Sequence, residues 1–249
     1  MRPTPSIERT CPGKPGHASH VKRVGIGSSR ASIIQKLAAL RVKDQGLKVF
    51  GASSHEYKLN VPLTEMEVQS VEVKYRFSLP KDYRWFVTTI GNGGAGPFYG
   101  LFPLGMNDDG FDLASWETVG LVGALDQPFK HAKAWNLPTS FWEGEPDPGE
   151  DITEKEEAKL WEAWDEKLES EYWDLSVMQG AIPICHEGCA LRDWLVVTGP
   201  LAGNIWREMR VDNGGIAPLT NPDGTPMTFS AWYVDWLDSN LGKEQHANA

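Results

Sequence analysis

AIPICHEGCALRDWLVVTGPLAGNIWREMRVDNGGIAPL, residues 181–219, decides the fold class. Within it AIPIC (181–185), WLVVTG (194–199), IWREMR (205–210) and IAPL (216–219) are short apolar runs bounded by Gly, Pro and Asn, which is the signature of strands rather than helices. GPLAGN (199–204) and DNGG (212–215) read as hairpin loops, because glycine and asparagine tolerate the positive φ of tight turns. Strands joined this closely pair antiparallel, so the stretch predicts a meander. Just beyond it, Thr228 caps a closing helix in which Phe229, Trp232, Tyr233, Trp236 and Leu237 fall on one face.

Upstream, LPKDYRWFVTTIGNGGAGPFYGLFPL (79–104) predicts a corner between helix and sheet. Pro80 opens a helix, since its ring fixes φ and the first turn needs no donor there. Tyr83, Phe86, Val87 and Ile90 form its apolar face, Gly91-Asn92-Gly93-Gly94 stops it, and Phe98 to Leu104 reads as an aromatic strand. Gly91, Gly93 and Gly96 match the spacing of a dinucleotide fingerprint. That fingerprint needs a strand entering and a helix leaving, so that the helix N-terminus can hold a pyrophosphate. Here a helix enters and Pro97-Phe98-Tyr99 leaves as extended chain. Gly91, Asn92, Gly93, Gly94, Gly96 and Pro97 are therefore a fold-marking turn, and no cofactor is expected on them.

Three capping boxes mark further helix starts: Ser32 with Gln35, Thr64 with Glu67, and Thr153 with Glu156. The first leads an apolar stripe of Ile33, Ile34, Leu37 and Leu40, and the second turns Val68, Val71 and Tyr75 inward. FGASSHEYKLNVP (50–62) reads as a linker, 107–123 as irregular and 136–151 as a Pro- and acid-rich connector. The third box opens an acidic helix over 153–170 whose Leu160, Trp161, Trp164 and Leu168 make one seam. The order of elements predicts an α+β single domain over 29–241, preceded by a mobile Pro/Gly/Ser-rich arm (1–28) and followed by a tail (242–249).

Charge is unevenly placed. Residues 143–171 hold 13 acidic and three basic side chains, a net of −10, which equals the charge of the whole 249-residue chain. Residues 1–60 carry 11 Lys/Arg against three Asp/Glu. Phosphate binding needs positive charge, so the acidic segment excludes nucleic acid as its direct partner and favours a basic protein surface. No apolar run approaches the roughly 20 residues that span a bilayer, so no membrane association is expected. The N-terminus lacks the apolar core of a secretory signal, and three cysteines, Cys11, Cys185 and Cys189, make no disulfide framework; a reducing cytoplasm is the expected compartment.

Catalytic constellations are not legible, and the chain reads as non-enzymatic. Cys185-His186-x-x-Cys189 is the best metal candidate, but it lacks the remaining ligands of a tetrahedral site and reads as a strand end with a buried thiol. Asn107, Asp109 and Gly110 resemble the middle of a calcium loop, yet Gly105 and Trp116 stand where its first and last carboxylates belong. No G-x-S-x-G elbow is present. Paired Asp108 and Asp109 on a loop are weak evidence for acid–base work. His17, His20 and His246 fall in the expected tails, and His55 and His131 have no assigned role. Most of the 11 tryptophans read as core. Trp161 and Trp164, set among charges, read as interface anchors, which makes Glu157, Trp161, Glu162, Trp164, Asp165 and Glu166 the candidate partner-binding surface.

PLTEMEV (62–68), residues 79–104, PFKHAKAWN (128–136), GAIPICHEGCALRDWLVVTGPLAGNIW (180–206) and MTFSAWYVDWLD (227–238) together resemble the SUKH superfamily of the Smi/Knr type, over about residues 30–241. FGASSHEYKLN (50–60) resembles that family's lead-in. The resemblance implies an α+β domain. It also implies an immunity protein that neutralises a cognate toxin domain, a basic nuclease being one case; the alternative is an intracellular scaffold or regulator of cell-wall or signalling processes, as in fungal relatives. Gly91 to Gly94, Gly96, Pro97, Gly203 and Trp206 would then mark the fold. The arm before residue 28 and the acidic segment depart from the family pattern.

Overall fold

The computed structural model describes residues 29–108, 112–119, 122–149 and 151–242. In chain order the elements are α1 (Arg30–Lys43), α2 (Ala52–His55), α3 (Glu65–Tyr75), α4 (Lys81–Thr89), β1 (Met106–Asp108), β2 (Leu113–Ser115), α5 (Trp116–Val119), α6 (Thr139–Trp142), α7 (Glu154–Glu171), β3 (Ala181–Gly188), β4 (Leu191–Val196), β5 (Ile205–Glu208), β6 (Ile216–Pro218) and α8 (Phe229–Gly242). This is an α+β fold. Its main sheet is the antiparallel meander β3-β4-β5-β6, with Asp193 opposite Arg207 and Trp194 opposite Trp206. Among the described residues no helix is long and apolar enough to cross a membrane.

Both faces of the sheet are covered, and the period-two alternation of strands divides them. Leu195, Val197 and Ile205 point into a large core with Ile33, Leu37 and Leu40 of α1, Tyr83 and Phe86 of α4, and Phe229, Tyr233 and Leu237 of α8. Trp194, Val196 and Trp206 point the other way, into a smaller core with Phe129, Val177, Met178 and Ile216. On the first face α4 and α8 are joined through their rings, Tyr83 to Phe229 at 4.8 Å and Phe86 to Tyr233 at 4.7 Å between centroids, both edge-on. Asp82, in the first turn of α4, also accepts the Ser230 N–H at 3.0 Å and so caps α8. The five aromatic and aliphatic positions expected on α8 are all buried.

The glycine corner continues the sheet instead of merely leaving it. Gly94 bridges to Leu59 on one side and to Leu101 on the other, and Leu101 in turn bridges to Cys185 of β3. The Gly94 N–H donates to Leu101 O at 3.0 Å, Ala95 N–H to Lys58 O at 2.7 Å, and Phe102 N–H to Ile184 O at 2.8 Å. Asn92 holds the turn shut by accepting the Leu104 N–H on Oδ1 at 2.8 Å. The extended strand expected over Phe98 to Leu104 does not form: Phe98 lies at φ 53° and Gly100 at φ 100°, so only Leu101 pairs. Gly51 lets this turn approach closely, since a Cβ there would stand 1.9 Å from Phe98 O. On the opposite side of the meander, Trp135 bridges to Ile216 of β6.

Other boundaries differ locally. The cap of α1 is Ser29, whose Oγ accepts the Ser32 N–H at 3.2 Å, three residues before the expected box. The Thr64 and Thr153 boxes form as expected. The expected linker 50–62 contains α2, the irregular 107–123 region holds the β1–β2 hairpin and α5, and the connector holds α6. The arm 1–28 with Cys11, His17 and His20, the calcium-loop residues Asp109 and Gly110, and His246 in the tail lie outside the described residues.

Candidate protein-docking surface

The capping box at Thr153 starts α7, and Glu154, Glu156 and Glu157 in its first turn suit the positive end of the helix dipole. The 18-residue helix runs for about 27 Å. Its fixed points lie toward the C-terminal half. Trp164 packs on Phe141 and Trp142 of α6, at 5.0 and 6.4 Å between ring centroids, and Lys167 Nζ lies 4.3 Å from the Phe141 ring centre. Tyr172, the C-cap, is fully buried between Trp135 and Trp142 and accepts the Gly215 N–H on its hydroxyl at 2.9 Å.

A buried ion pair ties that end to the second sheet face. Arg210 Nε donates to Glu208 Oε1 at 2.6 Å, Arg210 Nη1 donates to Tyr172 O at 2.7 Å, and Trp194 Nε1 donates to Glu208 Oε2 at 2.7 Å. The Arg210 guanidinium also lies over the Trp173 ring at 4.9 Å. These residues position α7, and sequence reading missed them. The available signal was the alternation Trp206, Glu208, Arg210, which puts an acid and a base on the face of a core tryptophan.

Of the six candidate partner-binding residues, Glu162, Asp165 and Glu166 are exposed, Glu157 and Trp161 are half-buried, and Trp164 is buried. Trp164 is thus a correction: its ring serves the α6–α7 contact and does not belong to the free surface. The apolar seam is covered only in part, since Leu160 is 44% exposed and Trp161 borders an open depression lined also by Ala158, Glu162, Asp165, Glu166 and Glu169. Trp164→Ala should therefore destabilise the protein by about 3–5 kcal/mol, as a truncated core aromatic does, whereas Trp161→Ala should stay within about 1 kcal/mol; urea unfolding of both variants measures the difference.

The exposed face contravenes the local rules of helix stability. Glu162 and Glu166, and Asp165 and Glu169, are four residues apart, where like charges cost roughly 0.2–0.5 kcal/mol per pair. Glu169 and Glu171 sit at the negative end of the dipole, and no basic residue occupies the last turn. Among the described residues no salt bridge holds Glu162, Asp165, Glu166 or Glu169. Breaches of this kind concentrate at functional surfaces.

The chemistry-bearing residues elsewhere are engaged in packing. Cys185 is fully buried in β3, and burial pushes its thiol up, away from the thiolate. His186 stacks on Tyr99 at 4.7 Å and on Phe102 at 5.8 Å, and Cys189 is exposed in the β3–β4 turn. Among the described residues no group of three or more His, Cys, Asp or Glu is placed to hold a metal ion. Asp108 accepts twice from Arg192, at 2.8 and 3.3 Å. His55 accepts the Tyr57 N–H on Nδ1 at 3.0 Å, and His131 Nε2 lies 2.9 Å from Val177 O. Burial holds the His55, His131 and His186 rings below the usual imidazole range. In comparisons with known proteins, no family model, curated protein or solved structure matches the chain.

Proposed function

We propose that this chain is a non-enzymatic binding module that docks a basic protein surface through the free acidic face of α7. The observation that supports the reading is the crowding of Glu162, Asp165, Glu166 and Glu169 around half-buried Trp161, none of the four in a salt bridge among the described residues. Carboxylates so placed raise the local concentration of a cationic partner, and a flanking indole supplies apolar area once contact is made. The sequence resemblance to the SUKH superfamily supports a more specific form: a cytoplasmic immunity protein that occludes a cognate toxin domain, with a basic nuclease cleft as the partner chemistry that fits best.

Two measurements test this. Co-expression should relieve growth inhibition by a toxin encoded next to this chain's gene; failure against every adjacent toxin would favour the scaffold reading. With the partner in hand, the triple change Glu157→Lys, Glu162→Lys, Glu166→Lys should slow association by about 10–100-fold at low salt and flatten its salt dependence, read by stopped-flow. Unchanged association rates would remove the steering role of α7.

A further inference from the structure

His55 is a buried imidazole where three parts of the fold meet. It closes α2, and its ring lies edge-on to Tyr57 at 5.3 Å and to Trp236 of α8 at 6.0 Å. From the glycine corner, Gly100 comes so near that a Cβ there would stand 3.2 Å from the ring. Nδ1 accepts the Tyr57 N–H at 3.0 Å, so the proton of the neutral ring belongs on Nε2. Nε2 is sealed from solvent, with the Gly96 backbone near it but no full hydrogen bond.

The segment that this bond holds is strained. Glu56 at φ 47° and Tyr57 at φ 58° are consecutive left-handed residues with side chains, a conformation that persists only while its surroundings impose it. Tyr57 is tied a second time, its hydroxyl donating to Asp44 Oδ2 at 2.5 Å. The Asp44 carboxylate also accepts the Lys48 and Val49 N–H groups, at 2.7 and 3.0 Å. Glu56 is exposed and pairs with Lys58, with Arg41 nearby. α8 offers the ring the uncharged Trp236, and the corner offers the backbone of Gly96 and Gly100. Among the described residues no salt bridge includes His55.

From this we infer that His55 is an acid-operated latch: a proton on Nδ1 releases residues 56–60 from the glycine corner while the rest of the fold stays closed. The proton takes the lone pair that holds the Tyr57 N–H and sets a donor against a donor. It also puts a positive charge into a buried site where no carboxylate pairs with the ring. Burial holds the closed ring below the usual imidazole range, whereas an opened ring accepts its proton near pH 6.5. The latch is therefore fully closed above about pH 6.5 and weakens as pH falls, the open population growing about tenfold per pH unit. Release has a defined consequence. Lys58 O accepts the Ala95 N–H and the Asn60 N–H donates to Gly93 O, so opening strips both bonds and bares the corner as a sheet margin that can pair with extended chain. The inference does not require the toxin reading, since no other protein takes part.

Amide hydrogen exchange of the full chain from about pH 7.5 to about pH 5, expressed as protection factors, tests it. The Tyr57, Lys58 and Ala95 amides should lose protection about tenfold per pH unit below about pH 6.5, while amides of α4 and α8 keep theirs. His131 and His186 contact other segments, Val177 O and the Tyr99 and Phe102 rings, so their protonation does not imitate this pattern. His55→Asn keeps an acceptor close to the Nδ1 position and gains no proton in this range, so its profile at the same amides should be flat. Should that chain misfold, the parent profile still decides. Tyr57 and Lys58 protection that is independent of pH, a loss that runs in step with α8, or an unchanged slope in folded His55→Asn would overturn the inference.

Discussion

Gly94→Val should destabilise the protein by at least about 3 kcal/mol, measured by urea denaturation, and lower the yield of folded chain. Two costs add. Gly94 lies at φ +91°, where a β-branched residue is strained, and a Cβ built there stands 2.5 Å from Lys58 O. The clash is with the backbone of Lys58 to Asn60, the segment whose Leu59 bridges to Gly94, and backbone cannot rotate out of the way as a side chain can. Moving that segment breaks the Asn60–Gly93 and Ala95–Lys58 hydrogen bonds that hold the corner. Gly149→Ala is the matched control: nothing lies within 4 Å of its added Cβ, and its φ is ordinary, so the change should stay within about 0.5 kcal/mol. If Gly94→Val kept its stability and lost only partner binding, the glycine turn would be a contact surface and not a structural corner.

Arg210→Met should cost a similar amount, about 3–5 kcal/mol, for an electrostatic reason. Glu208 is 1% exposed and would keep only the Trp194 indole N–H as a donor among the contacts described above. The Tyr172 carbonyl would lose its guanidinium at the same time, which loosens the C-terminal anchor of α7. The double change Glu208→Gln with Arg210→Met removes the stranded charge but leaves an acceptor for Trp194. It should therefore recover at least about 1 kcal/mol relative to Arg210→Met alone. A double variant no more stable than the single one would assign the loss to guanidinium packing on Trp173.

How far the fold was legible depends on how local each signal is. The meander, α4 and α8 announce themselves through apolar spacing over fewer than about 15 residues, and that information is complete within each segment. The Phe98–Leu104 run misleads because its contacts are not local: Phe98 O packs against Gly51, which lies far away in sequence. The acidity of α7 is plain in the sequence, as is a seam of Leu160, Trp161, Trp164 and Leu168. Which end of that seam is covered cannot be read there: Phe141 and Trp142 must first be brought to Trp164, and Trp135 to Tyr172. The Glu208–Arg210 anchor was hidden for the same reason, since its third member, Tyr172, sits 38 positions away from Arg210.

The bridges that flank the meander bear on how anything can bind this molecule. Sheets with bare margins recruit extended peptides by main-chain pairing, which is tolerant of sequence and hard to dislodge with salt. Here Leu101, Gly94 and Leu59 occupy the margin beside β3, and Trp135 occupies the one beside β6. Each margin thus carries one isolated bridge, Leu101 to Cys185 beside β3 and Trp135 to Ile216 beside β6, which obstructs strand addition at those positions. A protein that grips side chains on the helices instead will have an affinity that responds to ionic strength and to single surface substitutions.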